Sequence, residues 1–217
     1  MADDRGGTPS PLGSAARLFD ALGLVYERAY GQLPGQLEAL DWLLHRLPAR
    51  ARVLDIGSGT GRPVAERLAA AGHLVTGCDV SPTMVRLARA QVPLARFELA
   101  DVRELPDTPG AWDAITAFFP LFQLPRTEME LTLTRVADWL APGGSFVLAT
   151  VPFDGEGLEL TWLGQRVRCS GYPAEIHPKL IEAAGLDVVH ARCGVFRPDF
   201  PGAGEEEHLF VHAVKPQ

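Results

Sequence analysis

VLDIGSGTG, residues 53–61, is the stretch on which the fold turns. Residues 52–56 are a short run, apolar but for Arg52 and Asp55, the pattern of a buried strand. Glycines follow at 57, 59 and 61. Such glycines let a chain turn tightly and let its backbone approach a ligand with no Cβ in the way. Taken alone, the loop fits a tight turn as well as a binding loop, so its neighbours decide the reading.

Outward from this stretch, strands and helices alternate. A helix is expected over 63–71, a strand over 74–78, and a helix over 82–91 with Ser81 placed to cap it. Further strands are expected over 95–99 and 114–117. A helix over 127–140 is stopped by Pro142-Gly143-Gly144, and a fifth strand follows over 145–151. This alternation predicts an α/β fold with a Rossmann-like, doubly wound sheet and helices on both faces. Residues 154–172 break the rhythm, with 158–163 and 165–169 able to pair around Gly164. A helix over 173–184 and strands over 186–196 and 207–214 complete the chain, the last two joined by a loop over 197–206. Before the sheet, 1–13 reads as a mobile tail. Residues 14–47 read as a helical cap, with one amphipathic helix over 14–30 and another from Pro34 to 47. Residues 48–217 then form the main domain, with an insertion around 153–172.

Three acids fall at the ends of successive predicted strands: Asp55, Asp79 and Asp101. Ligands of doubly wound sheets bind outside the carboxyl ends of the strands, and neighbouring strand ends lie roughly 5 Å apart. The set can therefore line one elongated ligand. A nicotinamide dinucleotide fold also places an acid after its second strand, but its fingerprint is G-x-G-x-x-G. Here the spacing is G-x-G-x-G, with Arg62-Pro63 where the third glycine would fall, which argues against that cofactor.

Composition narrows the partners. The 217 residues carry a formal charge of −7 and are 47% hydrophobic, with a pI near 5.4. Phosphate-backbone binding needs clustered Lys and Arg, so nucleic acid is not expected. Cys78, Cys169 and Cys193 form no C-x-x-C pair. A disulfide framework or structural zinc is not expected, nor any other metal, and a reducing cytoplasm suits the chain. There is no signal-peptide pattern, and no apolar run nears the ~20 residues of a membrane span.

At these residues the chain resembles the class I S-adenosylmethionine-dependent methyltransferases. VLDIGSGTG (53–61) is similar to the family's first motif and GCDVSPTMV (77–85) to its second. FELADVRELP (97–106) is similar to the third, WDAITAFFPLFQLP (112–125) to the fourth, and LAPGGSFVLAT (140–150) to the segment closing the core. The resemblance implies seven strands, the last antiparallel and inserted beside the fifth, and S-adenosylmethionine as cofactor, leaving S-adenosylhomocysteine. It implies that Asp55, Gly57, Ser58, Gly59 and Gly61 shape the pocket around the methionine portion. Asp79, beside Val80, would accept from the ribose hydroxyls, and Met84 would pack against adenine. Asp101 would take the adenine amino group, with the Val102 N–H offered to a ring nitrogen. Phe118 and Phe119 would lie along the sulfonium side. Tyr26 and Tyr30 are candidates to reach the methionine carboxylate, or are core aromatics of an amphipathic helix. Many small-molecule relatives carry a histidine where Gln123 stands, and Gln cannot serve as a general base.

Methyl transfer from a sulfonium needs positioning above all; a base is needed only when the acceptor must lose a proton. Tyr172, His177 and Asp154 are candidates for that role, with Glu156, Glu159 and Glu175, although His177 at a helix start reads first as an exposed surface residue. Trp162 and Trp112 can wall an aromatic acceptor or belong to the core. The acceptor pocket is expected between the N-terminal helices, residues 118–124 and the 153–172 insertion. Its apolar lining favours a small hydrophobic acceptor, such as a natural product, methylated on oxygen, nitrogen or carbon. Two alternatives share the same residues: a cyclase or rearrangement enzyme that binds the cofactor without transferring its methyl, and a non-catalytic cofactor-binding subunit.

Overall fold

A computed structural model describes residues 11–217 of the chain. The expected tail lies outside the described residues over 1–10; its last three positions already belong to the first helix, α1 (Pro11–Leu22). The helix expected over 14–30 is two helices, because Gly23 breaks it with φ 48° and ψ −129°, a conformation open chiefly to glycine. α2 (Leu24–Tyr30) and α3 (Pro34–Arg46) follow, the latter with Pro34 in its first turn.

Seven strands form one sheet: β1 (Arg52–Ile56), β2 (Leu74–Asp79), β3 (Arg96–Leu99), β4 (Trp112–Phe118), β5 (Leu140–Thr150), β8 (Asp187–Phe196) and β9 (Glu206–Val214). Their order is β3-β2-β1-β4-β5-β9-β8. The first five are parallel, whereas β9 runs antiparallel between β5 and β8, where the resemblance put an inserted strand. The remaining two strands, β6 (Gly155–Trp162) and β7 (Gln165–Gly171), pair as a separate hairpin turning at Gly164.

Side-chain alternation divides the sheet's two faces. Leu54, Ile56, Ile115, Phe146 and Leu148 pack with Met129, Leu133 and Trp139 of α6 (Arg126–Trp139) and Ile181 of α7 (Ile176–Ala183). Val53, Ala114, Val147 and Ala149 pack with α3, α4 (Val64–Ala70) and α5 (Pro82–Gln91). A period of two on strands buried on both faces is what a covered parallel sheet requires. Leu209, Val211 and Ala213 of β9 face the first cluster and Phe210 the second. Glu206, His208 and His212 share Phe210's side of the strand. A third cluster joins Leu18, Leu22, Ala29 and Tyr30 of α1 and α2 to Leu163 and Val167 of the hairpin. It forms a roof beside the carboxyl ends of the strands. Among the described residues, no helix is long and apolar enough to cross a membrane.

Candidate active site

The glycine loop is tied to the end of β2. Gly57 and Ser58 donate their N–H groups to the Cys78 carbonyl at 2.8 and 3.0 Å, and Gly59 donates to Asp79 Oδ2 at 2.9 Å. Two glycines are required here for different reasons. A Cβ on Gly57 would meet Pro120 Cβ at 2.5 Å; Gly59, at φ 52°, has nothing within 4 Å and borders open space. Asp79 also accepts from Ser81 N–H at 2.8 Å. Ser81 caps α5 as its position predicts, accepting from Met84 N–H at 3.1 Å.

Ser81 Oγ in turn donates to Asp20 Oδ1 of α1 at 2.6 Å, and Thr83 N–H donates to the same oxygen at 3.0 Å. A helix of the roof is thereby latched to the start of α5. The Asp20 carboxyl is held below its usual range: burial raises it, but the bonds from Ser81 and Thr83 and the Arg86 charge outweigh that.

A cavity of about 780 Å³, including its open mouth, lies at the carboxyl ends of β1, β2, β3 and β4. Gly57, Gly59, Asp79, Val80, Asp101 and Val102 line one side, and Phe118, Phe119 and Gln123 the other; Phe19 and Tyr26 roof it. Asp79 is buried, and loss of solvent raises its carboxyl against the lowering pull of its two N–H donors. Asp101 caps the turn after β3 and receives Arg103's guanidinium at 2.9 and 3.0 Å.

Asp55, Ser58, Gly61 and Met84 stand behind this lining. Asp55 accepts from Thr116 Oγ1 at 2.7 Å, while its Oδ2 has no partner. Burial is the main reason its carboxyl is pushed up to about 7, opposed by the Thr116 bond and reinforced by Asp79. Ser58 Oγ is likewise buried without a partner. Gly61 is packed under Val92 and Phe97, and Met84 is fully buried.

A second cavity, about 760 Å³ on the same measure, adjoins the first and shares Phe19, Tyr26 and Phe119 with it. Its remaining wall comes from Tyr30, Phe122, Phe153, the hairpin's Leu160 and Trp162, and β9. It lies between the N-terminal helices, the segment after β4 and the 153–172 insertion. Tyr30 lines this second cavity rather than the first, and its hydroxyl donates to Glu206 at 2.9 Å. Trp162 Nε1–H donates to Glu206 Oε1 at 3.0 Å, and His208 Nε2 lies 3.1 Å from Glu206 Oε2. Because its partner is a carboxylate, we assign the His208 proton to Nε2.

Sequence reasoning missed Glu206 and His208. The loop expected over 197–206 ends one residue earlier, and Glu206 opens β9. The available signal was polar residues at alternate positions of a strand, Glu206, His208 and His212, on one face with Phe210.

Tyr172, Asp154 and His177 come together elsewhere, around Arg126 at the start of α6, and none of them lines either cavity. Arg126 pairs with Asp154, donates to the Gly171 carbonyl at 3.0 Å and covers the Tyr172 ring at 4.3 Å. Tyr172 donates to Glu130. His177 is not the expected surface residue: it is fully buried, with Nε2 3.2 Å from the Tyr172 carbonyl, and burial lowers its pKa. The reason is α7, which starts at Ile176 and turns that position onto the sheet. Glu159 pairs with Arg166 on the hairpin surface, and Glu156 accepts from Arg126 N–H. Trp112 packs at the opposite end of β4, bonded to Thr108.

The family model described as a methyltransferase domain matches residues 53–144. Methyltransferase GfsG of Streptomyces halstedii is 29% identical over 183 residues, covering 79% of this chain and 62% of that protein. The chain spans about half the length of the curated relatives it matches. Among solved structures, the 1,6-didemethyltoxoflavin N1-methyltransferase of Burkholderia thailandensis, with its substrate and S-adenosylhomocysteine bound, is 23% identical. It aligns over 100% of this chain and 98% of its own with a TM-score of 0.66. The [4+2]-cyclase SpnF is 20% identical over 96% of this chain and 98% of its own, with a TM-score of 0.71. At such identities the likeness is one of fold.

Proposed function

We propose, from the match of residues 53–144 to the methyltransferase-domain family model and the likeness of fold to methyltransferases, that the protein binds S-adenosylmethionine in the first cavity and transfers its methyl group to a small hydrophobic molecule in the second. The observation that carries this reading is the shared wall. Two cavities, one edged by strand-end carboxylates and one by aromatic rings, meet at Phe19, Tyr26 and Phe119.

The residues present fit the cofactor. Asp79 lines the cavity with lone pairs left after its two N–H donors, so it can accept from the ribose hydroxyls. Asp101 and Val102 line the same cavity and would meet the adenine edge. Gln123 Nε2 sits in the lining, buried without a partner, and such a group calls for a ligand or water. Asp55, Ser58, Gly61 and Met84 support the loop and strand ends from behind. Tyr26 keeps its proton: burial and the charges of Asp79 and Glu206 all push its phenol up.

The bound donor supplies an activated methyl group. The chain's own task is to exclude water and hold the acceptor atom near that methyl, a positioning effect worth ~7–11 kcal/mol at its best. The roof of α1, α2 and the hairpin provides the exclusion. Three free cysteines, two of them buried, suit a cytoplasmic setting.

Incubating the protein with methyl-labelled cofactor and a lipophilic extract tests the reading. Label in a new product supports transfer. Product change without label supports a rearrangement enzyme of this fold, and tight cofactor binding with no product supports a binding subunit.

A further inference from the structure

Among the described residues lining the second cavity, Glu206 is the one carboxylate, and its basic neighbour is a single imidazole, His208, at 3.1 Å. The cavity's walls are aromatic on several sides: Tyr26 and Tyr30 have centroids 5.1 Å apart, and Trp162 lies 6.0 and 5.7 Å from them. Phe19 meets the edges of both Tyr26 and Trp162. Glu206 opens into this box, and among the described residues no Lys or Arg lines it. Its carboxylate is built in, accepting from Tyr30, Trp162 and His208. Burial alone would raise the carboxyl, but those three donors outweigh it and hold it below its usual value.

The polar groups around it are not equally open. The Glu206 side chain is 22% exposed, against 2% for His208. His208 Nδ1, the nitrogen left with a lone pair, is buried without a partner. A phenolate formed in this cavity would face the Glu206 carboxylate at close range, a repulsive arrangement. A cation gains on both counts, from the carboxylate and from the ring faces.

We infer that the acceptor is an amine on an apolar, ring-bearing molecule, seated in the aromatic box with its nitrogen toward Glu206. This rests on the methyltransferase reading above. The amine is drawn in as an ammonium and gives its proton to bulk solvent at the cavity's mouth before it reacts. Its lone pair then forms the N–CH₃ bond, while the S–CH₃ bond breaks with its electron pair remaining on sulfur. Positive charge passes from sulfur to nitrogen, from the cavity of Asp79 to that of Glu206. A carboxylate fixed in advance where charge develops stabilises the transition state more than the neutral amine.

The test is a charge series of one shape: benzylamine, benzyl alcohol and benzoate, each titrated by calorimetry into the protein saturated with S-adenosylhomocysteine at pH 7.5. The expected order is benzylammonium over benzyl alcohol by about tenfold or more, with benzoate weakest. Glu206→Gln keeps an acceptor for Tyr30 and Trp162 and should bring cation and alcohol within about twofold. Should that variant fail to fold, the wild-type order alone decides. Equal affinity for cation and alcohol, a preference for benzoate, or no saturable binding of benzylammonium overturns the amine assignment. S-adenosylhomocysteine affinity, measured first, separates the two failures. If it is absent, the methyltransferase reading falls; if it is present without cation preference, only the amine does.

Discussion

Replacing Asp79 tests the cofactor half of the site at its centre. Its carboxylate accepts two backbone N–H bonds, from Gly59 at 2.9 Å and from Ser81 at 2.8 Å. Hydrogen bonds to a charged group contribute about 1.5–3 kcal/mol each. In Asp79→Ala both N–H groups lose their partner, but the variant also sheds the desolvation cost that raises this carboxyl. The two effects oppose each other in the ligand-free protein, so its stability should fall less than the bond count suggests. Nothing opposes the loss for the ligand. The variant lacks the carboxylate proposed to accept from the ribose, and the Gly59 turn loosens, so affinity for S-adenosylhomocysteine should fall by at least ~1–3 kcal/mol, roughly 5- to 150-fold.

Asp79→Asn separates contact from charge. A side-chain amide has one carbonyl oxygen and one NH₂, so it can serve Gly59 or Ser81 but presents a donor to the other. Its affinity should lie between wild type and Asp79→Ala. Calorimetric titration with S-adenosylhomocysteine, paired with a thermal melt of each free variant, reads both quantities. A folded Asp79→Ala protein that binds as tightly as wild type would remove Asp79 from the binding site and, with it, the geometric basis of the cofactor assignment.

Three further outcomes follow from particular contacts. Asp55 retains its proton in the fold up to about pH 7 against 3.8 for an ordinary aspartate, so the native state binds more protons than the unfolded chain in between. Its effect on stability is therefore favourable at low pH and is lost as pH rises from about 4 to about 7, by at most ~4 kcal/mol. Asp55→Asn should gain on wild type between pH 5 and pH 8 in urea unfolding, and parallel curves would contradict this. Asp20→Ala removes the latch to Ser81 and Thr83 and should cost about 1 kcal/mol. Hydrogen exchange within α1 should rise while α6 stays protected; equal protection in both proteins would mean that the roof is held by its apolar cluster alone. Trp139→Ala, at a side chain 1% exposed in the core of the α6 face, should lower stability by ~3–5 kcal/mol in denaturant unfolding, and a loss under ~1 kcal/mol would mean the face repacks.

The sheet could be read in the sequence because each of its signals is local. Strands β1 and β2 are short apolar runs and α5 has its own cap in Ser81, so those boundaries are marked within a few residues; α6 instead stops at Trp139, and β5 starts at Leu140 and runs through the Pro142-Gly143-Gly144 expected to be a turn. Helix α1 was read less well. Its break at Gly23 depends on an unusual φ and ψ, and a lone glycine in an amphipathic pattern does not announce them. His177 is hard to place from sequence for a related reason: helix position alone leaves open which face meets the sheet, and a shift of the helix start rotates a side chain from solvent to core.

The two cavities divide along the same line. Asp79 binds Gly59 and Ser81, and Asp101 binds Arg103 two residues on. These carboxylates are placed by strand ends and their following turns, which sequence spacing reveals. Glu206 is placed by Tyr30, 176 residues away, and by Trp162 on the hairpin. No spacing rule relates those three positions, because an α-helix, a hairpin and the inserted antiparallel strand must first pack before they meet. A ligand held by short loops after successive strands therefore leaves a mark in a single sequence. The proposed acceptor site, gathered from separate elements, leaves none; it emerges only where folding brings a carboxylate and aromatic rings together around Glu206.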